Sequence, residues 1–148
     1  MMETLFRGKR MDNNEWVEGW LVAIPTDKDW ADSQCYIVTE IDFRDTIYDI
    51  HRYAYEVFPD TVGQYAGIMI DDERIFEDDI IRLYSSDDFR FVVQLGLYDK
   101  TVGFAGFHGV GFYCECVGNE DFILPLGTLW TSDMEKMGNI HDNPELLE

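Results

Sequence analysis

Six carboxylates crowd one short stretch of this chain. In "MIDDERIFEDDIIRL", Asp71, Asp72, Glu73, Glu77, Asp78 and Asp79 lie within nine positions. Hard cations such as Mg²⁺ or Ca²⁺ need several oxygens converging on one point. If "RIFEDDIIRLY" is a single strand, Glu77 and Asp79 share a face, and these two are the candidate metal ligands. The spacing does not match the twelve-residue calcium loop. The competing reading is an acidic turn feeding a strand, with its carboxylates in water or bonded to backbone N–H groups. For Asp79, placed before the apolar Ile80 and Ile81, a hydrogen bond to a turn backbone is the favoured role.

Thiols and imidazoles give weaker patterns. Cys114 and Cys116 on a strand put both thiols on one face beside Phe112, which reads as core packing. Structural zinc asks for wider pairs and a second pair to match, which Cys35 alone does not supply. His51, His108 and His141 are far apart, and no Cys–His pair is singled out. No serine-nucleophile elbow, P-loop or dinucleotide fingerprint occurs. "GFAGFHGVGF" is Gly-rich but interleaved with aromatics, so strand packing explains it better than phosphate binding. The expectation is therefore no enzyme and no cofactor. Arg7, Lys9 and Arg10 form the basic cluster, suited to pairing with the chain's own carboxylates or those of a neighbouring copy.

The elements that would carry these residues read as strands. "LFRGKRMDNNEWVEGWLVAI" predicts a hairpin turning at Asp12-Asn13-Asn14. Trp16, Trp20, Val22 and Ile24 share one face of its second strand, interrupted by Glu18. "CYIVTEI" is a third strand, and residues 42–55 fit a strand or a short helix equally. "VFPDTVGQYAG" turns at Pro59-Asp60 and carries apolar residues, so residues 59–74 read as a packed junction. It separates an N-terminal β region, 1–58, from a C-terminal one, 75–148.

The later segments, "FRFVVQLGLYD", "TVGFAGFHG", "GFYCECV" and "MEKMGNI", add short strands. Ser132 and Glu135 would suit a capping box and a competing helix there. Glycines 96, 103, 106, 109 and 111 suit the sharply coiled strands of a small closed or half-closed barrel. Asn143 and Pro144 predict a helical stub at the end. The fold class is mostly β with minor α.

Composition narrows the partners. The 148 residues hold 30 Asp and Glu against 11 Lys and Arg, a net charge of −19. That charge repels phosphate backbones, so direct nucleic-acid binding is not expected. A basic protein surface or a second copy of the chain is the expected partner. "MMETLFRGKRMDNN" has no apolar core of a signal peptide, and no membrane span is expected. The expected location is the cytoplasm.

Four motifs in order carry a resemblance: "FRGKRMDNNEWVEGWLV", "VFPDTVGQYAG", "RIFEDDIIR" and "MGNIHDNPELL". Together they resemble the YopX-like family of phage and prophage proteins across the whole chain. The family pattern is F-R-G-K, V-x-P-x-T-V-G-Q-x-T-G, I-Y-E-G-D-I-V and G-N-I-x-x-N-P-E-L-L. This chain departs from it with Asp78 in place of Gly, Ala66 before Gly67, and "MIDDER" in place of a D-K-N-G-K-K turn. If the family Gly has positive φ, Asp78 must adopt it too. The resemblance implies a C-terminal part similar to an SH3-type barrel, with the N-terminal β region packed on it, and a phage or prophage gene in a bacterial host. It implies no activity.

Three functions follow as expectations. The first is a non-catalytic accessory protein that binds another protein or self-associates, with Trp20, Trp30 and Trp130 as aromatic contact candidates. The second is an acidic DNA mimic that occupies a host nucleic-acid-binding protein. The third is a carboxylate and divalent-metal enzyme built on Glu77 and Asp79.

Overall fold

Aromatic and β-branched residues set the secondary structure, and strands take 63% of the described residues. The computed structural model describes residues 4–24, 34–39, 52–102 and 105–148, without the side chains of 100–105. No α-helix occurs among these residues, and none is long and apolar enough to cross a membrane. The strands form two antiparallel sheets, and the chain divides into two units, Met1–Tyr65 and Ala66–Glu148.

In the first unit, β1 (Phe6–Lys9), β2 (Trp16–Ile24), β3 (Gln34–Val38) and β4 (Ala54–Val57) lie in the order β4-β3-β2-β1. The hairpin turns where the sequence predicts: Asn14 takes φ 60°, and the Arg10 N–H donates to Glu15 O at 2.9 Å. The start of β5 (Gly63–Ile70) pairs with β1 through Phe6↔Gln64 and Arg7↔Gly63. Cys35, Ile37 and Val57 form the core, packed by Phe6, Val17, Leu21 and Val62. Two glycines allow strands to approach: a Cβ on Gly8 would stand 2.8 Å from Val57 Cγ2, and one on Gly19 would stand 2.2 Å from Val38 O. The other face of β2 is the outer one, with Trp20, Val22 and Ile24 about half exposed.

β5 continues into the second unit, turns at Asp71-Asp72, and is followed by β6 (Glu73–Phe76), its neighbour in the sheet. Both turn residues have positive φ, 50° and 65°, as a two-residue hairpin turn of the primed type requires. The second sheet contains β7 (Asp79–Leu83), β8 (Arg90–Val102), β9 (Ala105–Cys116), β10 (Asn119–Pro125) and β11 (Met134–Asn139), in the order β10-β9-β8-β7-β11. Ile70 of β5 and Ile75 of β6 join Ile81, Phe91, Val93 and Cys114 of this sheet in the core of the second unit.

Five expectations are corrected. The barrel is not closed: β10 and β11 are the two edges of an open sheet. β10 slips register between Asn119 and Ile123 and ends at Pro125, which has no N–H to continue a ladder. "RIFEDDIIRLY" is not one strand, because Glu77 and Asp78 form a turn between β6 and β7. The C-terminal stub is a 3-10 turn, Pro144–Leu147, and not an α-helix. Thr101 and Val102 of "TVGFAGFHG" end β8, and its "AGFHG" runs on with Val110 into "GFYCEC" as the single strand β9. The competing helix at Ser132 gives way to a 3-10 turn, Thr131–Asp133, followed by β11.

Candidate functional site

The break at Glu77-Asp78 separates the two candidate metal ligands. Glu77 lies in the turn, half-buried, while Asp79 opens β7 and is fully buried. Asp79 Oδ2 accepts the Phe76 N–H at 2.8 Å, the turn-backbone bond favoured by the sequence. The same oxygen lies 3.7 Å from Lys136 Nζ, whose ammonium also pairs with Glu73 at 3.4 Å. Asp78 takes φ 71°, a left-handed conformation that Asp tolerates better than most residues. Its N–H donates to Val93 O at 2.8 Å and its carbonyl accepts the Ile140 N–H at 3.0 Å. Its carboxylate meets His141 Nε2 at 3.1 Å. The turn is thus fixed on both sides, to β8 and to the end of β11. No group of three or more His, Cys, Asp or Glu able to hold a metal ion occurs among the described residues.

Beside this turn lies a clasp that residue-by-residue reading did not single out. The Asn139 N–H donates to Asn143 Oδ1 at 3.2 Å, and the Asn143 N–H donates to Asn139 O at 2.9 Å. Asn139 Oδ1 accepts the N–H groups of His141 and Asp142, at 3.0 and 2.9 Å. Gly138 has φ 153°, and a Cβ there would stand 2.2 Å from Asn143 Oδ1. The four-residue spacing of two Asn after a Gly was the available signal. Arg90 then holds the last turn, donating to Leu146 O at 2.8 Å and Glu148 O at 3.0 Å. An isolated Arg in a strand gives no such signal.

A second polar knot joins β7 to β11. Arg82 donates to Glu135 at 2.6 Å and Asp87 at 3.0 Å, while Ser85 Oγ donates to Glu135 at 2.8 Å. The Ser85 bond first, and then Arg82, holds the Glu135 carboxyl below its ordinary range. The thiols sit elsewhere. Cys35, Cys114 and Cys116 are buried and free of disulfides, and burial pushes the Cys114 thiol up to about 12. These sulfurs are thiols rather than thiolates and pack as small apolar groups.

In the first unit the basic cluster faces aromatics. Arg7 and Lys9 lie 4.5 and 5.5 Å from the Trp16 ring, and Arg10 lies 4.2 Å from the Tyr55 ring. Arg10 also binds Asp12 through two nitrogens, at 2.9 and 2.6 Å, a pairing with the chain's own carboxylate. Thr61 Oγ1 accepts the Lys9 N–H at 2.9 Å and donates to Phe58 O at 2.7 Å. His108 stands in the β8–β9 hairpin against Asp99. His51, Trp30, Gly103 and residues 42–51 lie outside the described residues.

A protein-family model described as YopX protein matches residues 5–148. The chain belongs to the YopX family. Comparison with curated proteins and with solved structures returned no match. The YopX motif positions quoted from the sequence now have physical roles. Gly8 admits Val57, Thr61 ties the 3-10 turn Pro59–Thr61 to β1, Asp79 closes the β6–β7 turn, and Gly138, Asn139 and Asn143 form the C-terminal clasp.

Proposed function

We propose that this YopX-family chain is a non-catalytic binding module of a phage or prophage, working in the bacterial cytoplasm by holding another protein or further copies of itself. The observation that carries this reading is the exposure of large apolar side chains on strand faces. Trp20 on β2, Leu97 on β8 and Val110 on β9 are 51%, 75% and 79% exposed. Such groups gain free energy when a partner covers them. The polar clusters support the same reading, because their motif residues are engaged in holding turns. The strand meander β7-β8-β9-β10, with β11 returning beside β7, supports an SH3-like but open form of the second unit.

Sedimentation velocity of the purified chain, with and without proteins it retains from its host, tests the function. The expected result is a stoichiometric assembly larger than the 17.3 kDa chain. A monomer that holds no protein in stoichiometric amount contradicts the reading. The net charge of −19 favours a second reading, an acidic mimic of DNA. That reading expects the retained protein to be one that DNA displaces.

A further inference from the structure

The outer part of the β8–β9 hairpin pairs with no third strand among the described residues. β7 pairs with β8 only over Arg90–Val92, and β10 pairs with β9 no farther out than Tyr113. Beyond those points the two strands continue as a ribbon. Phe91↔Cys116 and Val93↔Cys114 face the core, and period two places Leu95↔Phe112 and Leu97↔Val110 on the same face. The apolar stripe of the core therefore runs on into the arm, where Leu97 and Val110 are 75% and 79% exposed. Gly96 and Gly111 stand opposite each other at its root with φ 151° and 148°.

Charge singles out this arm. Residues 91–114 contain one acidic and one basic residue, Asp99 and Lys100, and the rest of the chain carries the whole net charge of −19. Two copies of such a chain repel each other over most of their length. They can approach where the charge is absent, and that is where the exposed stripe lies. A basic partner would instead be drawn to the acidic segments. We propose that two copies of this chain associate arm against arm, burying Leu95, Leu97, Val110 and Phe112 of each on the same residues of the other. The contact is isologous, the same four residues of each copy meeting across a two-fold axis. It rests on the binding reading above and names its surface. Interfaces below about 1,200 Å² are weak and exchange, so a concentration-dependent dimer is expected.

Sedimentation equilibrium over micromolar to submillimolar protein tests this in wild type and in Leu97→Asp, Val110→Asp and Trp130→Asp. The weight-average mass of the wild type should rise from 17.3 kDa towards twice that value. Leu97→Asp and Val110→Asp should each weaken the dimer about tenfold or more. Trp130→Asp should leave it unchanged, and added NaCl should tighten it by screening the repulsion. The substituted side chains are exposed, and unchanged circular dichroism will show that the variants fold. Association that survives both arm substitutions, or that Trp130→Asp weakens equally, overturns the arm and leaves the binding reading standing. A wild type that stays monomeric yet retains another protein does the same. A monomer that retains nothing overturns both.

Discussion

Asp79 shows what a single carboxylate does here. It is fully buried, and its Oδ2 accepts the Phe76 N–H and lies near the Lys136 ammonium. Asp79→Ala leaves that buried N–H without its acceptor, which costs about 1–3 kcal/mol. Urea unfolding should show a lower midpoint with an unchanged slope. Glu135 gives a pH dependence. Bonds from Ser85 and Arg82 favour its carboxylate in the folded chain, lowering its proton affinity below the ordinary 4.5. A carboxyl lowered by folding stabilises above its unfolded value, and that contribution is lost as pH falls through the folded value. Glu135→Gln should therefore lower stability at neutral pH and shrink its loss on acidification, read from urea midpoints on either side of 4.5. At Cys114, burial holds the thiol protonated, up to about 12. A thiol-specific reagent should label Cys35, Cys114 and Cys116 in the native protein no faster than global unfolding exposes them.

At the scale of elements, turns decide the outcome. Gly138 combines a φ of 153° with a gap that Asn143 Oδ1 fills, so Gly138→Ala both strains the backbone and displaces the clasp. A loss of about 2 kcal/mol or more is expected from such a position. Asn143→Ala should cost less and release residues 140–148 first, seen as faster amide exchange there than in β7. Much of this level was legible in the sequence. The alternation of Phe91, Val93 and Leu95, the Asn-rich first hairpin and the packing role of the paired Cys all follow from local rules. The break within "RIFEDDIIRLY" did not, because three acidic residues between the apolar pairs Ile75-Phe76 and Ile80-Ile81 fit an exposed strand segment as well as a turn. What breaks the strand is nonlocal: the Asp78 N–H bonds to Val93 and its carbonyl accepts from Ile140. The clasp hid for a similar reason, since Asn139 and Asn143 look like ordinary loop residues until their reciprocal bonds are seen.

At the scale of the whole molecule, the β character was legible, whereas the strand count and the closure of the sheet were not. Gly-rich strands signal coiling, but whether a sheet closes depends on whether its two edge strands meet, and β10 and β11 do not pair. The acidic stretch changed meaning for the same topological reason. Its six carboxylates are spread over two turns and two strands, with Asp71 and Asp72 exposed at one turn and Asp79 buried beyond the other. These residues hold the fold and build no metal site, as the proposed binding role of the apolar surface requires. Thermal unfolding against Ca²⁺ and Mg²⁺ at constant ionic strength tests this most directly. A specific site raises the melting temperature in a saturable way by mass action. The account predicts no rise beyond that of matched NaCl. A saturable rise that Asp79→Ala abolishes would contradict it.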